Sequence, residues 1–193
     1  MKTFPAALAL AAALILSACY PPTTSHPVGT TAGLKSDPAL SGLWVGKDAD
    51  GKPGYFHFLP QSDGSITAVI VEGGDKPDAD WMIATLTTAT LGDKHYMNAR
   101  LTSTNGKTEE GAPSGTVPVL YRIDAKGTLT LAMMDETPTK AAIKAGKIKG
   151  TPGQGDMGDA EITADPTALD GFFKSAAAAS LFDKPFFTLH RVK

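Results

Sequence analysis

The sequence predicts a mainly-β domain: an antiparallel meander of about eight strands closing into a barrel, with two helices near the C-terminus. Three observations carry this. Apolar and polar residues alternate over short runs, the signature of half-buried strands. Turn formers separate the runs, among them Ser62-Asp63-Gly64, Gly92-Asp93, Asn105-Gly106 and Lys126-Gly127. Two later stretches switch to the helical period behind a cap followed by proline, at Thr137-Pro138 and Asp165-Pro166. A chain of 193 residues with 20 Gly and 14 Pro has material for one turn-rich core and not for two.

Composition excludes several functions. Lys+Arg of 18 against Asp+Glu of 20 gives a net charge of -2, so there is no basic surplus to capture nucleic acid. One cysteine excludes an internal disulfide framework and a cysteine-based zinc site.

The chain opens with Met1-Lys2, runs through an apolar stretch from Phe4 to Leu16 and reaches Leu16-Ser17-Ala18-Cys19. Residues 1–18 read as a signal peptide, since a membrane span needs about 20 apolar residues and this run is shorter. Leu16-Ser17-Ala18-Cys19 resembles the lipobox of bacterial lipoproteins, which implies cleavage before Cys19 and lipidation of its sulfur and amine. Two or more acyl chains hold a protein on a membrane where one does not. Tyr20 stands where the lipoprotein sorting rule would place Asp for inner-membrane retention, so the resemblance implies a lipid anchor in the outer membrane, facing the periplasm. Residues 19–37, with Tyr20-Pro21-Pro22-Thr23-Thr24-Ser25-His26-Pro27, offer little to bury and are expected to form the lipidated N-terminus and a flexible tether. The barrel domain is expected over 38–193.

Within that domain the alternation predicts strands over 42–46, 55–60, 65–72, 81–91, 94–103, 117–124, 128–134, 160–163 and 186–192. The first helix is expected from a Thr137 cap through Ala141-Ala142-Ile143 toward Lys147 and a Gly150 stop. The second has Asp165 as cap, Pro166 at its first position, and Leu169, Phe172, Phe173, Ala176 and Ala177 on one face. Such short helices are marginal alone, so that face is expected to dock on the sheet with Phe172 and Phe173 buried. Closing the meander into a barrel removes its exposed edges.

Gly42-Leu43-Trp44 on the first strand is similar to the Gly-x-Trp opening of lipocalins, and Arg191 on the last strand matches their closing Arg. The resemblance implies a lipocalin-like barrel in which Arg191 lies over the Trp44 indole at the closed end. The strong helix precedes the final strand here, which departs from the lipocalin order. The wider pattern resembles a family of uncharacterised bacterial envelope lipoproteins, through Leu43-Trp44, Phe56-His57-Phe58-Leu59-Pro60, Arg122, Ala141-Ala142-Ile143-Lys144-Ala145-Gly146 and Leu181-Phe182.

No catalytic or metal motif emerges. Asp48-Ala49-Asp50-Gly51 opens like a calcium loop, but Lys52, Pro53 and Leu59 stand where an EF-hand needs an oxygen ligand, Gly and Glu, so a hairpin turn is expected. His57, His95 and His190 fall on different strands with no ligand spacing. There is no Gly-x-Ser-x-Gly elbow, and the glycine-rich 150–158 lacks a P-loop ending. The acids Asp75, Asp78, Asp80, Glu109 and Glu110 sit in turn-like segments. Alternation places His57 on a face with Tyr55 and Leu59, His95 with Met97 and Leu101, and His190 with Phe186, and all three histidines are expected inward.

The function expected is a non-enzymatic binding or interaction module of the envelope, for a small amphipathic ligand or an envelope protein partner. A ligand site is expected at the barrel mouth from His57 and Tyr96, with Arg122 open to an anionic group. The alternative is an enzyme whose site at the mouth assembles from those same residues. Neither cofactor nor metal is expected.

Overall fold

The computed structural model describes residues 21–73, 80–108, 115–153 and 160–193. The signal segment, Cys19, Asp75, Asp78, Glu109 and Glu110 lie outside the described residues.

Eight long strands form the barrel: β2 (Gly42–Asp48), β3 (Pro53–Pro60), β4 (Ile66–Glu72), β5 (Asp80–Leu91), β6 (Lys94–Thr104), β8 (Val117–Ile123), β9 (Thr128–Met133) and β12 (Phe187–Arg191). Each pairs antiparallel with its predecessor from β2 to β9, apart from β7 (Lys107–Thr108), a short extension folding back on β6. β12 then inserts between β9 and β2 and closes the ring. The fold is consistent with a lipocalin-like barrel. The turn chemistry behaves as expected: one Asp48 Oδ1 accepts the amides of Asp50 and Lys52, and Asp124 does the same for Lys126 and Thr128.

Before β12 the chain leaves the barrel. α1 (Glu136–Lys144) starts two residues earlier than expected, because the Asp135 carboxylate takes the Thr137 amide and supplies the cap that Thr137 was expected to provide. α2 (Pro166–Lys174) begins as expected, with the Asp165 carboxylate accepting the Thr167 and Ala168 amides. A 3-10 helix follows over Ala176–Phe182. Segment 160–163, expected as a barrel strand, instead supplies β11 (Glu161–Ile162) to a separate three-stranded sheet with β1 (Thr23–Thr24) and β10 (Gly150–Thr151).

Two cores result. The inner one fills part of the barrel, around Trp44, Phe56, Phe58, Leu129, Phe187 and Leu189. The outer one lies between the barrel wall and the helices, around Tyr96, Leu169, Phe172, Phe173, Leu181 and Phe182. Phe172 and Phe173 are buried as the helical period requires. Tyr96 meets Phe173 edge-on at 5.5 Å.

Residues 21–37 correct the expectation of a flexible tether. They run along the outer wall, and Thr23, Thr24 and Val28 are buried. Polar groups invisible as a pattern in the sequence hold them. Asn98 accepts the Val28 amide (2.6 Å) and donates to the Val28 carbonyl (2.9 Å), imitating a strand pairing from a side chain. The buried Asp170 carboxylate accepts the Gly29 amide (2.6 Å), the Thr31 amide (2.8 Å) and the Thr31 hydroxyl. Gly29 has φ +90, and a Cβ there would lie 2.0 Å from that of Ala89, so this crossing requires glycine.

Candidate ligand cavity

The two ends of the barrel differ. At one end, Trp44 on β2 is fully buried and its indole N–H donates to the Leu40 carbonyl (2.7 Å). Arg191, its register partner on β12, sits with Cζ 4.4 Å from the ring centroid. The guanidinium also donates to the Ser41 and Ala39 carbonyls, which ties the turn at Pro38–Leu40 across this end. The Tyr121 hydroxyl donates to Asp37 (2.6 Å). Burial first, then the Asp37 bond, pushes its pKa up. The Trp44–Arg191 contact inferred from the resemblance is present, and it plugs the barrel.

The other end is hollow. A cavity of about 300 Å³ opens there, walled almost wholly by apolar groups. Its origin is side-chain size. Ala68 on β4 faces Ala84 on β5, and Ala99 on β6 faces Leu86, so three neighbouring strands present alanine where the flanking strands β3 and β8, and β9 beyond, present Phe56, Phe58, Val119 and Leu131. Ile70, Met82, Leu101, Val117, Met133 and Phe186 line it toward the mouth. Gly54, in register with Glu72 at the open end, makes room for the Phe187 ring, which a Cβ there would approach within 2.4 Å. Glu72 is the carboxylate at the mouth; desolvation, then the nearby Asp48 and Asp80, raise its pKa above the ordinary carboxylate value. Pro21 and Thr23, from the N-terminal segment, complete the lining beside Gly115.

The expected site residues are not brought together. His57 is exposed on the outer face of β3, because Phe56 and Phe58 take the inward positions; Tyr55 and Leu59 share its outward face. Arg122 is exposed on the outer face of β8, next to inward Tyr121. Tyr96 is buried outside the barrel wall, where its hydroxyl donates to the Phe173 carbonyl (2.9 Å) at the end of α2. Lys94 donates to the same carbonyl and to that of Ser175, so both side chains serve the helix terminus. Burial raises the Tyr96 pKa, with Asp93 adding to it. His95 lies on the face of Met97 as expected, but at the exposed closed rim, its ring 5.5 Å from Tyr121. His190 alternates with inward Leu189 and faces out. Among the described residues no three His, Cys, Asp or Glu groups gather as metal ligands would.

Sequence reasoning expected a ligand site at the mouth but missed the small side chains that hollow the barrel there. A signal existed: Ala68, Ala84 and Ala99 each sit on the inward alternation of a strand dominated elsewhere by larger residues. The site therefore defines the class of protein: a closed antiparallel barrel, plugged at one end, with an apolar cavity at the other. Compared with protein-family models, curated proteins and solved structures, the chain matches none. Among the described residues no helix is long and apolar enough to cross a membrane.

Proposed function

We propose that this protein is a lipid-anchored envelope protein whose barrel is a non-enzymatic binding module for a small ligand with an apolar body and a polar end. The observation that carries the binding half is the apolar cavity at the end opposite the Trp44–Arg191 plug. Its volume of about 300 Å³ is at the small end of ligand sites. Transfer of each methylene from water favours binding by about 0.8 kcal/mol. The polar end would remain at the mouth, where the lining carries both Glu72 and Arg100, and the role expected for Arg122 is dropped.

The address rests on Leu16-Ser17-Ala18-Cys19 and its similarity to a lipobox. The enzyme alternative finds no support in the arrangement of His57, Tyr96 and Arg122, which lie on three separate parts of the outer wall. Two measurements test the proposal. Metabolic labelling with an alkyne fatty acid is expected to mark the wild-type chain and not Cys19→Ser; equal labelling of both removes the lipoprotein reading. Mass spectrometry of organic extracts of the purified domain is expected to find a single-chain amphiphile at near-stoichiometric amount. A domain that is empty and also refuses N-phenyl-1-naphthylamine removes the binding reading.

A further inference from the structure

The N-terminal segment reaches the barrel at the mouth of the cavity, and this fixes where an anchor on Cys19 would hold it. Thr23, Thr24 and Ser25 are bound by backbone hydrogen bonds to Ala160 (3.0 Å), Thr116 (2.8 Å) and Ile162 (2.9 Å). The Thr116 amide returns a bond to Thr24 (2.9 Å), and the two threonine hydroxyls meet at 3.0 Å. The chain is therefore immobilised from Thr23 onward, and Pro21 already lines the cavity. Only two residue steps separate Pro21 from Cys19, a reach of about 7 Å. A free chain from Cys19 to Asp37 would have spanned about 60 Å at ~3.3 Å per residue, leaving the barrel unoriented.

A second observation lies elsewhere on the same rim. Tyr55, Val71 and Trp81 are register partners on β3, β4 and β5, one row from the open ends of those strands, and all face outward. Tyr55 is 46% and Trp81 36% exposed. Around the ring from β8, where the N-terminal segment attaches, β5 with Trp81 is two strands away and β3 with Tyr55 is four. Exposed Tyr and Trp with one apolar and one polar end suit the water–lipid boundary.

Resting on the lipoprotein and binding readings above, we infer that the anchor seats the open end of the barrel on the bilayer, so that the cavity exchanges a single-chain amphiphile directly with the membrane. The short link sets the distance, the aromatic row supports the rim from two to four strands away, and the plugged end with Arg191 points to water. The amphiphile's tail passes between membrane and cavity without crossing bulk solvent.

The test uses the full lipidated protein in phosphatidylethanolamine–phosphatidylglycerol vesicles that carry a nitroxide headgroup lipid. Asp50→Cys lies in the exposed turn between β2 and β3 at the open end, and Lys126→Cys in the turn between β8 and β9 at the plugged end. A fluorophore at Asp50→Cys is expected to be quenched several-fold more than one at Lys126→Cys; equal or reversed quenching overturns the orientation. A second variant inserts about 20 Gly/Ser residues between Tyr20 and Pro21, adding roughly 25 Å of flexible span. It is expected to slow uptake of radiolabelled lauroyl-lysophosphatidylcholine from vesicles at least tenfold and to leave uptake from aqueous solution unchanged. An unchanged rate from vesicles means that the ligand arrives through water and overturns the inference. Failure of the wild type to take up the lysolipid from water, or to be lipidated, removes the readings beneath it as well; failure of the quenching contrast or the linker effect alone removes only the inference.

Discussion

The two ends of the barrel are built on the same eight strands and differ in what fills them. At the plugged end a tryptophan, a tyrosine and an arginine close over Leu40 and Leu129, and their polar atoms each find a partner: Leu40 for the indole, Asp37 for the phenol, Ser41 and Ala39 for the guanidinium. At the open end Ala68, Ala84 and Ala99 leave space that none of the described residues fills. Strand pairing is continuous through both, so the backbone does not decide which end is hollow. Side-chain volume does, and close packing and open space are accordingly separated along one axis.

Substitutions at the two ends are therefore expected to diverge. Trp44→Ala removes a buried aromatic and its hydrogen bond, and is expected to cost about 3 to 5 kcal/mol in urea unfolding. Met133→Ala, which only enlarges an existing cavity from a half-buried position, is expected to cost less than about 1.5 kcal/mol. Equal losses would erase the distinction between the ends.

The clasp that holds residues 29–31 on the outer wall gives the next effect. Asp170→Ala leaves the Gly29 and Thr31 amides and the Thr31 hydroxyl without their acceptor, and is expected to cost about 2 to 3 kcal/mol. Hydrogen exchange should locate the loss, with amides over 28–31 losing protection while those of β3 and β4 keep theirs. Arg191→Ala is expected to cost about 1 kcal/mol, since its stacking on Trp44 is solvent-exposed on one side.

The smallest effect is electrostatic and belongs to the open end. The raised pKa of Glu72 means that the folded state holds its proton more tightly than the unfolded chain. Stability from this group is then fully present below its ordinary value of 4.5 and lost as pH rises through the raised value. Glu72→Gln should thus be more stable than wild type at pH 7, by under about 1 kcal/mol because the half-buried group is screened. The advantage should vanish below about pH 4, with Asp48, Asp80 and Lys52 left in place. An advantage that persists there would assign it to packing.

Much of the fold is legible in the sequence because the rules involved are local. Asp165-Pro166 marks the start of α2, Asp-Gly and Asn-Gly pairs mark the turns, and Gly42-Leu43-Trp44 with Arg191 marks the plug. Two parts are not legible. On β3 both faces are rich in large side chains, Phe56 and Phe58 against Tyr55, His57 and Leu59, so alternation alone leaves the inward face undecided, and the candidate ligand residues were drawn from the wrong one. The N-terminal segment is polar and proline-rich, and only non-local partners, Asn98 and Asp170, 70 and 141 residues away, hold it down. β11 is similar, since its partners are β1 and β10 and no hairpin announces them.

The central claim is that the open end is a preformed apolar binding site independent of the plug. Fluorescence titration with N-phenyl-1-naphthylamine, on wild type and on Ala84→Phe, tests it most directly. Ala84 is buried on the cavity wall, so the added ring projects into the empty space and is expected to leave the thermal midpoint within a few degrees of wild type. The account predicts saturable enhancement at one site in wild type and at least a tenfold loss of affinity in Ala84→Phe. Equal affinity in the two proteins would place the bound probe outside the barrel and contradict it.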